Sequence, residues 1–100
     1  MFKHVVMWEL MEKAEGQTKE ENARELKRRL EALPNVISEI KQYEIGINAG
    51  QSSAAMDVVL ISGFDTVEDF ETYRQHPAHR EVVDFIGAIR SMARVVDYEV

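Results

Sequence analysis

Val58-Val-Leu-Ile61 is a short, unbroken apolar run, and its pattern decides the fold. A strand wetted on one side alternates apolar and polar residues; Val58, Val59, Leu60 and Ile61 instead require cover on both faces. Working outward, residues 2–10 repeat the pattern, with Val5, Val6, Met7 and Trp8 in succession, and residues 94–100 set Val95 against Val96. Residues 40–47 (IKQYEIGI) alternate and are predicted as the remaining strand, with a loop from Asn48 to Ala54.

Helices separate these strands. Thr18-Lys-Glu-Glu21 has the spacing of a capping box, a hydroxyl for an early helix N–H and a glutamate reaching back. Ala23, Leu26, Leu30 and Leu33 follow as one stripe, and Pro34 ends the helix. Asp65 with Glu68 is predicted to start a second helix bearing Val67, Phe70 and Tyr73 on one side. Pro77 breaks it. His76, before the proline, is biased out of the helical region and takes the N-cap position of a third helix carrying Val82, Phe85, Ile86 and Ile89.

The order β-α-β-β-α-β predicts an α+β, ferredoxin-like single domain over residues 1–100, a four-stranded antiparallel sheet with its helices on one face. Helices can shield only one side of the two-faced strands. Burying roughly six further side chains is gross stabilisation on the order of 10 kcal/mol before the costs of association. A second copy packed sheet to sheet is the expected cover, giving a homodimeric α/β barrel.

Charge and composition narrow the partners. With 12 basic and 18 acidic residues the net charge is −6, which leaves no basic stripe for nucleic acid. The absence of cysteine removes disulfides, thiolate nucleophiles and Cys–zinc sites together. No run approaches a membrane span and Met1-Phe2-Lys3-His4 opens no secretory h-region, so the expected compartment is cytoplasmic. Gly46 and Gly50 are isolated and form no phosphate loop, no cofactor is expected, and Trp8 and Met56 read as core.

Tyr73-Arg-Gln-His-Pro-Ala-His79 carries the candidate chemistry. If Pro77 opens the third helix, His79 lies in its first turn, where the dipole disfavours imidazolium; a neutral imidazole is what a general base needs. Tyr73 follows Phe70 by three and should face inward, its hydroxyl seeking a partner. His4 alternates with Val6 and Trp8 on the face expected to meet the helices. The proline breaks the register between His76 and His79, and no third ligand is evident, so no metal is expected. Three roles are open for these groups: lining a ligand pocket, catalysing proton transfer, or only fixing the corner between helices.

Several pieces occur in order and together resemble one family: Lys3-His4-Val-Val-Met7, Glu44-Ile-Gly-Ile-Asn48, Asp57-Val-Val-Leu-Ile61, Phe64-Asp65, Tyr73-Arg-Gln-His-Pro-Ala-His79 and Val95-Val-Asp-Tyr98. They are similar to the stress-responsive dimeric α/β-barrel (Dabb) family, whose members mostly have no assigned reaction. The resemblance implies a stress-associated homodimer with an apolar pocket for a small apolar or phenolic ligand. One plant branch is a polyketide cyclase that closes an aromatic ring by aldol condensation with a tyrosine–histidine pair. By motif that pair is Tyr73 and His79, with His4 a further pocket residue. Val58 stands where the cyclase has a strand histidine and Leu26 where it has a helix tyrosine. These ligand-lining positions are therefore aliphatic here.

Overall fold

The computed structural model describes residues 1–100. In chain order it contains β1 (Phe2–Leu10), β2 (Lys13–Ala14), β3 (Gln17–Thr18), α1 (Lys19–Glu31), a 3-10 turn (Leu33–Asn35), β4 (Gln42–Ile47), β5 (Val58–Phe64), α2 (Val67–Gln75), α3 (Pro77–Ile89) and β6 (Arg90–Glu99). The main sheet is antiparallel with strand order β4-β5-β1-β6. This is the ferredoxin-like α+β fold expected from the order of elements.

Helix ends follow local chemistry. The capping box at Thr18 is complete: the Glu21 N–H donates to the Thr18 hydroxyl and the Thr18 N–H donates to the Glu21 carboxylate. His76 caps α3 as expected, its Nδ1 accepting from the Ala78 N–H at 3.0 Å. At the start of α2 the expectation of Asp65 is corrected. The cap is Thr66, whose hydroxyl accepts from the Asp69 N–H at 3.1 Å. The hydroxyl stands three residues before that free N–H, the spacing a cap needs.

Two further differences concern strands. β6 begins at Arg90, four residues before the expected 94, and pairs with β1 from Leu10 to Phe2. Arg90-Ser-Met-Ala-Arg94 lacks a continuous apolar run because this is an edge strand. The small hairpin β2–β3 was not expected either. Its turn puts Glu15 (φ 52°) and Gly16 (φ 75°) in the left-handed region, as a primed two-residue turn demands, and glutamate does not advertise that conformation. The buried Asn22 amide donates to the Ala14 carbonyl and ties the hairpin to α1.

The core lies between the sheet and the helices. Val6, Trp8, Leu60 and Phe64 pack against Leu26, Leu30, Phe70 and Ile86. Register fixes which side chains share that face: His4 opposes Ser62 and Asp97, Val6 opposes Leu60 and Val95, and Trp8 opposes Val58 and Ala93. The alternate residues, Val5, Met7, Val59, Ile61, Val96 and Tyr98, point to the other face, which no element of the chain covers. There Met7 is 39%, Val96 60% and Tyr98 42% exposed.

The helices also stop short of β6. Val95 is on the helix side of the sheet yet remains 53% exposed. The gap between α3 and the β1–β6 ribbon is a cleft.

Candidate functional site

The cleft has a volume of about 330 Å³, within the range of small-molecule sites, and a mostly apolar wall. β1 supplies His4, α2 supplies Tyr73 and Arg74, and α3 supplies His79, so the fold brings together three of the residues singled out in the sequence. The other two lie elsewhere. Leu26 is completely buried in the core between α1 and the sheet. Val58 is also core, and lines a separate depression of about 240 Å³ near Met7 and Met56, where the Asp57 carboxylate is already engaged by the Leu10 N–H and Lys19. Neither side chain lines the histidine cleft, because α1 packs closely over that part of the sheet.

His79 is half-buried, its ring 4.2 Å from that of Tyr73 between centroids. Its Nδ1 lies 3.1 Å from the Arg74 carbonyl. A carbonyl only accepts, so Nδ1 carries the proton and the lone pair of neutral His79 is on Nε2. Burial lowers its pKa from the ordinary 6.5, and the nearby charges of His4, Arg74 and His76 act the same way, against the Arg74 hydrogen bond. The direction agrees with that expected from the first-turn position, but desolvation is the principal cause.

His4 packs on Phe70, centroids 4.8 Å apart, and its Nδ1–H donates to Oδ1 of Asp97 at 2.6 Å. Its Nε2, like that of His79, makes no hydrogen bond within the chain. No buried side-chain polar atom lacks a partner, so both Nε2 atoms reach solvent, and both residues line the same cleft. The site is a pair of imidazoles, each held at Nδ1 and open at Nε2. Such a pair can take a proton at one ring and give one at the other.

Tyr73 faces inward as expected and is fully buried. Its hydroxyl is 2.6 Å from that of Tyr43, on β4, two strands away from β1 and on the side opposite β6. Burial pushes Tyr73 up to about 12 and raises Tyr43 further still. The ring packs on His79 while the hydroxyl is directed away from the cleft. His76 has its Nδ1 engaged at the cap and forms no ligand pair with His79. No group of three or more His, Asp or Glu side chains is arranged to hold a metal.

Sequence reasoning missed Tyr43 and Asp97. Tyr43 alternates with Ile45 and Ile47, which puts it on the helix side, and Asp97 shares a face with Val95. The alternation was visible; the cross-strand partners were not.

Over residues 2–100 the chain matches the stress responsive A/B barrel domain, Dabb. It belongs to that family. No curated protein sequence matches it. Among solved structures, a dimeric protein of unknown function and ferredoxin-like fold from Bacteroides fragilis is 29% identical, with a TM-score of 0.83 over 99% of this chain and 95% of that one. A dimeric ferredoxin-like protein of unknown function from Thermobifida fusca is 21% identical, with a TM-score of 0.85 over 99% and 90%. A hydroxynitrile lyase from Passiflora edulis is 19% identical, with a TM-score of 0.77 over 99% and 92%. At their lower identities the last two are likenesses of fold alone. Structures that share this fold thus include an enzyme and proteins of unknown function. No helix of this Dabb chain is long and apolar enough to cross a membrane.

Proposed function

We propose that this Dabb protein is a homodimer, joined through the open faces of its two sheets, whose cleft binds a small organic carbonyl compound and removes a proton beside the carbonyl. The observation that carries the chemistry is the tethered His79, with Nδ1 held by the Arg74 carbonyl and Nε2 unpartnered in the cleft. Nε2 takes the proton from carbon, and the C–H electron pair passes into the enolate. His4 in its imidazolium form, oriented by Asp97, donates from Nε2 to the enolate oxygen. Tyr73 positions the His79 ring by packing rather than by its hydroxyl, which Tyr43 engages.

The dimer is supported by the uncovered apolar face and by the dimeric description of the Bacteroides and Thermobifida structures. Deuterium exchange at the central carbon of a simple 1,3-diketone, followed by NMR, tests the chemistry. Wild type should accelerate exchange and His79→Ala should lose most of that acceleration, on the order of a hundredfold or more. Equal acceleration by both would remove His79 as the base. Saturable shifts of the cleft resonances with unaccelerated exchange would leave a binding protein only.

A further inference from the structure

The cleft does not end at the histidines. From His4 it follows β1 to Trp8, roughly 13 Å at strand spacing, and along α3 from His79 to Arg90, roughly 16 Å at helical rise. Asp97 opposes His4 at one end of this trough, while Ala93 opposes Trp8 and Arg90 opposes Leu10 at the other. Three features of the cleft go beyond what proton transfer needs.

The first is Gly87, in the interior of α3, where glycine is the poorest helix former after proline. A Cβ built there would meet nothing within 4 Å, so neither packing nor backbone conformation requires the missing side chain. Gly87 lines the cleft, and what its small size provides is room. The second is charge. The chain has 18 acidic and 12 basic residues, yet the cleft is lined by Arg74, Arg90, His4 and His79, and the one carboxylate beside it, Asp97, is already engaged by His4. The third is Arg90 itself: Arg74 is paired with Glu71, whereas Arg90 makes no ion pair. Between the ends the wall is aliphatic and aromatic.

We infer that the ligand of this site is an elongated amphipathic anion, with its apolar chain in the trough that Gly87 leaves open and its anionic end at Arg90. The inference rests on the histidine cleft being the ligand site, and it supplies the class of ligand. A carboxylate at Arg90 places the far end of the molecule at His4 and His79, where the carbonyl to be enolised would sit. The apolar wall supplies most of the affinity and Arg90 the orientation.

The test uses the intact full-length protein and the n-alkyl carboxylates hexanoate, octanoate, decanoate and dodecanoate, with the matching primary alcohols, followed by NMR titration and calorimetry. Wild type should bind the longer carboxylates more tightly than the shorter, and each more tightly than its alcohol, with the difference shrinking at high salt. Arg90→Gln should weaken carboxylates about threefold to tenfold and leave alcohols unchanged. Gly87→Leu should weaken both series by about tenfold or more without lowering Tm, because leucine favours helix. Should Gly87→Leu fold poorly, Gly87→Ala should fold at least as well as wild type and still weaken the longest chains. Equal affinity for acids and alcohols, or carboxylate loss in Arg74→Gln in place of Arg90→Gln, would overturn the inference. If carboxylates fail to bind while a 1,3-diketone still shifts His79, only the ligand class falls; if neither perturbs the cleft, the site falls with it.

Discussion

Replacing Tyr43 with phenylalanine removes one hydroxyl from a buried pair and leaves the other stranded. Tyr73 is completely buried and its hydroxyl has the Tyr43 oxygen, 2.6 Å away, as its partner. An unsatisfied buried hydroxyl costs about 1–3 kcal/mol. For a domain of this size 1 kcal/mol corresponds to roughly 4–8 °C, so Tyr43→Phe should lower Tm by on the order of 10 °C. Tyr73→Phe strands the Tyr43 hydroxyl in the same way and should cost a comparable amount, because burial raises the pKa of both phenols. The double variant removes both polar groups and keeps both rings, an exchange that is close to neutral. The expected order of stability is therefore wild type near the double variant, with both single variants clearly below them. Urea unfolding at one fixed protein concentration measures all four, since any dimer makes stability concentration-dependent. A double variant destabilised by the sum of the single effects would refute the coupling and with it the direction assigned to the Tyr73 hydroxyl.

Acidification should destabilise the fold through His79. Its folded pKa lies below the ordinary 6.5, so the unfolded chain binds more protons as pH falls through that region, and the unfolding free energy drops between about pH 7 and 5; His79→Gln should flatten that dependence in urea titrations at the two pH values. Met7→Asp or Val96→Asp puts a charge on the uncovered sheet face, where sheet-to-sheet packing would bury it unpaired; a dimer joined there should weaken by a hundredfold or more in sedimentation equilibrium, and an unchanged dissociation constant would exclude that surface. Tyr73→Phe should retain diketone exchange, since the ring against His79 is kept, whereas Tyr73→Leu should lose it; loss in both would restore the hydroxyl as a donor to substrate.

Periodicity was enough to locate the four main strands and the helices and to assign the faces they bury. Consecutive apolar residues at Val5–Trp8 and Val58–Ile61 imply cover on both sides, because side chains two apart on a strand share a face whatever lies opposite. Thr18 with Glu21, and His76 before Pro77, mark helix starts through bonds spanning three residues or fewer, so they too are local. The hairpin at Glu15 escaped notice because a positive φ at glutamate has no compositional sign. The early start of β6 escaped for a related reason: its pairing comes from β1, not from its own residues.

The site is another matter. Tyr43 and Tyr73 are 30 positions apart and His4 and Asp97 are 93 apart; each pair meets only because β4 joins the far edge of the sheet and β6 folds back along β1. Residue types along the chain named His4, Tyr73 and His79 as candidates, since imidazole and phenol have their chemistry wherever they stand. Which ring nitrogen keeps its lone pair, where a hydroxyl points and which wall stays open depend on neighbours distant in sequence. Strand order and helix packing choose those neighbours, so Leu26 and Val58 went to the core while Gly87 and Arg90 came to the cleft.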